Sequence, residues 1–132
     1  MNNFWEGAEV ISSYSRADAL ADGVLVDVSE LAREAGFKFP VALTSAVYSD
    51  CVAWDNAKEK AYQDESGRLW DIFTMALYTI RKGKGSNTDT ILFSVLRIPR
   101  GGKRPQKVDL RMVIGPGDTP EPVITVMFPE ED

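Results

Sequence analysis

The sequence ILFSVLRI at residues 91–98 is apolar on both faces of an extended chain, apart from Ser94 and Arg97. Residues 107–114 (KVDLRMVI) alternate between apolar and polar side chains, which is typical of a strand with one face in water. Residues 123–128 (VITVMF) are again apolar on both faces. The connections between these segments are rich in glycine and proline. Three consecutive strands with short connections predict an antiparallel β-meander.

Before residue 85 the apolar residues follow a helical period. A helix is predicted over about 67–82, with one apolar face and a C-cap at Gly83. A second helix is predicted to begin at Pro40, which suits the first helical position. Its apolar stripe comprises Leu43, Val47, Cys51 and Trp54. Both helices should cover one face of the meander, so the predicted fold class is α+β, as a single domain over residues 1–132.

The first 36 residues are predicted to contribute short elements. A strand is expected at Ala8–Ile11, and Ser15 is placed to cap a helix at Arg16–Ala21 that ends at Gly23. Residues 24–28 (VLVDV) are β-branched and predict a strand. Ser29 is expected to cap a further helix at Glu30–Ala35, which Gly36 stops.

The chain contains no histidine and one cysteine, Cys51. Most metal sites and most nucleophile–base pairs use one of these two side chains, so no catalytic residue, no metal ligand and no cofactor is predicted. Cys51 lies on an apolar stripe beside Asp50, and we expect a buried structural thiol. The segment MNNFWEGAEV lacks the pattern of a signal peptide, and one cysteine suits a reducing compartment. We therefore expect a soluble, cytoplasmic protein.

Charge is unevenly distributed along the chain. Residues 1–80 carry 6 Lys and Arg against 13 Asp and Glu, whereas residues 81–111 carry 9 against 2. A basic β-hairpin at 97–111 could contact nucleic-acid phosphates. Its candidate residues are Arg97, Arg100, Lys103, Arg104, Lys107 and Arg111. The tract lacks interleaved aromatic residues apart from Phe93, which disfavours stacking on single-stranded bases.

The acidic first two thirds of the chain could instead occupy a positive groove on another protein. The candidate protein-contacting residues are Asp55, Glu59, Asp64 and Trp70. Trp70 and Tyr78 lie off the apolar stripe of the 67–82 helix, so one of them is expected at the surface, although core packing is the usual role of such aromatic residues. Two binding functions therefore stay open, and an enzymatic function is disfavoured because no acid–base pair can be assigned.

Four quoted segments together carry a resemblance to a known family. They are YSRADALADGVLVDVS at 14–29, QDESGRLWDIFTMAL at 63–77, LFSVLRIPR at 92–100, and GPGD with PVITVM between 115 and 127. They resemble a family of small bacterial proteins of unknown function that are frequently encoded on plasmids, phages and integrative elements. The resemblance implies a bacterial cytoplasm and a mobile-element setting, in which accessory proteins often counter host defence as anti-CRISPR or anti-restriction proteins. It implies no catalytic residue and no cofactor.

Overall fold

Five strands form one mixed sheet in the computed structural model, which describes residues 14–83 and 89–131. The order across the sheet is β1-β2-β5-β4-β3. All neighbouring pairs are antiparallel except β2 and β5, which are parallel. The strands are β1 at Leu25–Asp27, β2 at Val41–Thr44, β3 at Thr90–Arg97, β4 at Gln106–Pro116 and β5 at Pro122–Met127.

The helices are short except for one. They are α1 at Arg16–Ala21, α2 at Ser29–Ala35, α3 at Ser45–Val47, which continues as a π-helical turn at Tyr48–Val52, and α4 at Glu65–Lys82. The fold is therefore α+β, as the sequence predicts. The predicted strand at Ala8–Ile11 lies outside the described residues.

The meander of β3, β4 and β5 is confirmed, because each strand pairs antiparallel with the next. The sheet as a whole is mixed and extends beyond the predicted meander, since β2 adds to β5 in parallel and β1 adds to β2. Ile124 donates its N–H to the carbonyl of Pro40 (2.8 Å), so Pro40 precedes a strand and not a helix. Proline is tolerated at that place because the first residue of a strand need not donate to the ladder.

The predicted helix from Pro40 to Trp54 is therefore correct only in its second half. Val41, Ala42 and Leu43 are all buried, so this strand shows no polar alternation. Strands in parallel pairs are usually covered on both faces and have continuous apolar sequences, which periodicity does not distinguish from a buried helix. The burial predicted for the stripe from Leu43 to Trp54 is nevertheless correct.

The predicted N-cap is present in the first helix and absent from the second. Ser15 caps α1 with a reciprocal capping box to Asp18, as predicted. Ser29 is the first residue of α2 and does not cap it. Its hydroxyl instead accepts the N–H of Val41 (3.0 Å) and donates to Asp27 (2.6 Å), which ties the start of α2 to β2. Gly36 ends α2 with a φ of 120°, a conformation that favours glycine.

The core lies between one face of the sheet and the helices. Ile72 and Phe73 of α4 pack with Leu110 and Met112 of β4 in one cluster, and the rings of Phe37 and Phe73 meet edge to face at 5.4 Å. The opposite face is partly covered by α1 and by residues 128–131. Over β3 this second face is open, so Leu92 and Leu96 are exposed to solvent.

Candidate functional site

A closed loop at residues 53–64, here called the Asn56 loop, carries most of the predicted protein-contacting residues. The side chain of Asn56 accepts hydrogen bonds from Trp54 Nε1 (3.1 Å) and from the N–H of Gln63 (2.9 Å), and it donates to the carbonyl of Gln63 (2.8 Å). Trp54 Nε1 also donates to the carbonyl of Ala61. These bonds join the two ends of the loop, so its exposed side chains project from a fixed backbone.

The three acidic candidates of this loop have different roles. Asp55 accepts the N–H of Ala57 and is exposed, and Asp64 is exposed directly before α4. Glu59 accepts the N–H of Gly101 at 2.7 Å. Gly101 belongs to the connection between β3 and β4 at residues 98–105, here called the hairpin tip. The acidic and basic segments, which the sequence separates by 42 positions, therefore form one continuous surface.

Tyr62 is a surface residue that the sequence analysis missed. Its side chain is 83 % exposed, the highest value among the large hydrophobic residues of the described chain. It lies in the Asn56 loop between Glu59 and Asp64. An aromatic residue inside an otherwise polar segment was the available signal, because interface anchors are often tyrosine or tryptophan.

Trp70 occupies a different element from the three acids. It lies more than one turn into α4 and is 41 % exposed, and Tyr78 further along the helix is also exposed. The expectation of core packing was therefore wrong for both residues and correct for Trp54, which is buried. Both side chains are exposed because Trp70 and Tyr78 lie outside the face of α4 that packs on the sheet.

The six basic candidates divide into two groups. Arg97 points to the inner face of the sheet and pairs with Asp50 (2.9 Å), and Arg111 donates to Met127 Sδ and to the carbonyl of Glu131. These two guanidinium groups are committed to intramolecular contacts. The remaining four side chains are exposed, at Arg100, Lys103, Arg104 and Lys107.

Arg68 is a buried cation that the sequence analysis did not identify. It is only 4 % exposed, and its guanidinium donates to the carbonyls of Asp50, Val52 and Ile98 at 2.8–3.2 Å. It also lies over the ring of Trp54, 4.5 Å from its centroid. Burial lowers the pKa of Arg68 from its ordinary value. The available signal was its position four residues before Ile72, on the edge of the apolar face of α4.

Cys51 is buried, as predicted, at 1 % exposure. Burial, followed by the charge of Asp50, raises the pKa of its thiol to about 12. The thiolate is the reactive form of cysteine, so this side chain is held in its unreactive state at neutral pH.

We expect Cys51→Ala to lower the free energy of unfolding by about 1–2 kcal/mol, because it removes one buried sulfur atom from the core. We also expect the native protein to react with a thiol reagent at pH 8 at the rate of global or local unfolding. Urea denaturation and a labelling time course measure the two effects. Labelling as fast as that of the unfolded chain would contradict this assignment.

No three Asp, Glu or Cys side chains within residues 14–83 and 89–131 come close enough to hold a metal ion together. None of the helices in that part of the chain is both long and apolar enough to cross a bilayer.

A comparison with models of protein families assigns the whole chain to one family. The model of a family described as "Family of unknown function (DUF6573)" matches residues 1–132. The chain belongs to DUF6573. This confirms the part of the resemblance that concerns a family of unknown function. No curated protein and no solved structure matches the chain.

In this DUF6573 chain, two of the segments that carry the family resemblance meet in space. Asp118 of the GPGD motif accepts the N–H groups of Arg16 (2.7 Å) and Ala17 (3.0 Å), the first two residues of α1. The guanidinium of Arg16 donates to the hydroxyl of Thr125 and to the carbonyl of Ile124 in β5. Asp118 therefore completes the N-terminal cap of a helix whose residue Ala17 lies 101 positions earlier in the sequence. These motif residues therefore join α1 to β5 and to the connection before it in this chain.

Proposed function

We propose that this DUF6573 protein is a non-enzymatic accessory protein of a mobile genetic element that binds a host protein and blocks it, as an anti-CRISPR or anti-restriction inhibitor does. The mobile-element setting and the bacterial cytoplasm rest on the sequence resemblance alone. The binding role rests on the surface formed by the Asn56 loop and the hairpin tip.

The single observation that carries the binding role is the exposure of Tyr62 on a loop with a fixed backbone. An interface anchor gains most when its backbone is already ordered, because association then costs little conformational entropy. The Asn56 bonds and the contact between Glu59 and Gly101 supply that order. Asp55 and Asp64 place negative charge near the tyrosine, which would direct the loop towards a positive surface.

Three properties of the chain support a non-enzymatic role. The sequence has no histidine, and the thiol of Cys51 is buried with a raised pKa. Arg68 is held by three carbonyls and is covered, so it is not placed to touch a substrate.

Binding of nucleic acid is the second candidate, and the exposure of Arg100, Lys103 and Arg104 on the hairpin tip favours it. Two observations weigh against it. Arg97 and Arg111 are already engaged within the fold. The carboxylate of Glu59 also lies against the tip, where it would repel a phosphate group.

The test compares two variants of the immobilised protein with a bacterial lysate and then with the purified bound species. The loop variant combines Tyr62→Ala, Asp55→Lys and Asp64→Lys. The hairpin variant combines Arg100→Ala, Lys103→Ala and Arg104→Ala. We expect the loop variant to lose about 30-fold or more in affinity for the captured protein, which corresponds to one interface hot spot of about 2 kcal/mol.

The hairpin variant is the matched control, since it also changes three exposed side chains at the same end of the molecule. We expect it to bind the partner within about threefold of the wild type. Capture of nucleic acid that the hairpin variant abolishes, with a reduced salt dependence, would instead establish the second candidate. Equal loss of affinity in both variants would also contradict the proposal.

A further inference from the structure

The edge strand β3 carries one charge that points inward, that of Arg97 at its end. Within the part of the chain that the structure describes, β3 is the last strand in the sheet order, and β4 is its sheet partner in regular register over eight residues. Residues 91–96 contain no charged residue and no proline. Leu92 and Leu96 are 64 % and 62 % exposed on its outer side. Natural proteins usually place charges, prolines or bulges on such strands, because an open edge pairs with other chains.

A groove runs beside this edge, between β3 and α4. It consists of two clefts of about 430 and 290 Å³ that share Asp71, Val95 and Leu96 as lining residues, so they adjoin along the strand. Thr74 and Met75 of α4 line the larger cleft. An edge strand next to a helix-walled groove is the arrangement used in strand addition, in which a peptide bonds to the edge and places alternate side chains in the groove.

The cleft near Pro105 is lined by two guanidinium groups, those of Arg68 and Arg97, and by the carboxylate of Asp71. Lys107 lines the larger cleft and lies 3.9 Å from the carboxylate of Asp109. Arg97 uses one nitrogen to bind Asp50, which lowers the local positive charge. Its buried Nε has no hydrogen-bond partner among the described residues. A buried donor without an acceptor is costly, and a carboxylate is the strongest acceptor for a guanidinium.

We propose that this groove binds an extended segment of a partner protein, which adds to β3 as a sixth strand. The segment is apolar or β-branched along its length, and it carries a carboxylate at the end that lies beside Arg97. Its outward side chains lie next to Leu92 and Leu96, and its inward side chains enter the cleft beside Met75. The groove adjoins the Asn56 loop at Gln63, but Tyr62 does not line it, and the proposal does not depend on the function proposed for that loop.

A second copy of the chain fits the edge less well than a single strand does. Paired β3 strands of two copies would be about 4.8 Å apart. Since α4 packs over β3, the two α4 helices would approach each other at a similar separation, whereas packed helices need about 8–10 Å. A lone extended segment has no helix of its own, so the groove admits it without this clash.

The experiment uses a fluorescein-labelled decapeptide of sequence TVTVTVTVDE and a control peptide, TVTVTVTVKK, with an amidated C-terminus. Fluorescence anisotropy gives the affinities, and amide hydrogen exchange follows β3 in the full chain. We expect the acidic peptide to bind and to slow exchange of the outward-facing amides of residues 91–96. We expect the affinity of the lysine peptide to be lower by about tenfold or more, because it lacks one charge-assisted hydrogen bond.

Four variants locate the peptide. Thr74→Trp should fill the cleft and weaken binding about tenfold or more, whereas Arg81→Trp, an exposed change on the same helix that does not line the groove, should leave it unchanged. Arg97→Lys keeps the charge but removes the Nε–H donor, and it should weaken the acidic peptide alone. Tyr62→Ala should have no effect, which distinguishes this surface from the Asn56 loop.

Several outcomes would overturn the proposal. The first is no binding of the acidic peptide up to about 1 mM, which corresponds to a binding free energy of less than about 4 kcal/mol. The second is binding that leaves the amide exchange of β3 unchanged. The third is equal affinity for the two peptides. A concentration-dependent dimer that protects the same amides without peptide would assign the edge to a second copy and would also overturn it.

Discussion

Replacement of Arg68 by alanine is expected to lower the free energy of unfolding by about 3–5 kcal/mol, a large part of the stability of a domain of this size. The buried guanidinium is the donor to three backbone carbonyls, at Asp50, Val52 and Ile98. These carbonyls belong to the π-helical turn and to the first residue of the hairpin tip, so Arg68 joins the two segments to α4. Its removal leaves buried acceptors without a donor and removes the contact with the Trp54 ring.

Urea denaturation measures this effect, with two companion variants. Arg68→Lys keeps the charge, but a single ammonium group does not reach all three carbonyls, so we expect an intermediate loss. Arg104→Ala removes an exposed arginine of the hairpin tip and should change stability by about 0.5 kcal/mol or less. A loss of stability in Arg68→Ala that is no greater than that in Arg104→Ala would show that Arg68 does not join these segments to α4.

Replacement of Asp118 by alanine is expected to lower the free energy of unfolding by about 2 kcal/mol. The carboxylate accepts two N–H groups at the start of α1, where the helix dipole also favours a negative charge. Asp118→Asn keeps one acceptor oxygen and should cost about half as much. Hydrogen exchange at the Arg16 and Ala17 amides should accelerate in both variants.

Glu121→Ala is the matched control, because Glu121 is an exposed acid in the same connection and, among the described residues, no side-chain hydrogen bond or ion pair joins it to α1. We expect a change of about 0.5 kcal/mol or less for this variant. Unchanged amide exchange at Arg16 in Asp118→Ala would show that the carboxylate does not hold α1, whatever the change in overall stability.

The Asn56 loop and the hairpin tip are in contact, and this contact limits which variants can separate the two binding hypotheses. The contact between Glu59 and Gly101 means that the acidic loop and the basic hairpin tip cannot be treated as independent patches. Charge reversal at Glu59 would disturb both, so the loop variant uses Asp55 and Asp64 instead. The groove beside β3 offers a partner a second place to bind, which adjoins this charged end at Gln63 and Pro105.

The sequence predicted those parts of the fold that depend on local periodicity and on local caps. The apolar face of α4 and the three meander strands follow from residue spacing, because each presents one buried face to the core. The capping box of Ser15 and Asp18 is contained within four residues. Burial of Cys51 also follows from its stripe, even though part of that stripe is a strand.

The tertiary structure decided what depends on contacts between distant segments. Residues 41–44 become a strand because β5 is available as a parallel partner, and no local pattern reveals that pairing. Arg97 and Arg100 are three residues apart, yet one is paired inside the sheet and the other is exposed, since strand register fixes the direction of each side chain. Arg68, Glu59 and Asp118 bind backbone groups of remote segments, which sequence spacing does not encode. Within the described residues, β3 is likewise an edge strand because β1 and β2 add to the other side of the meander.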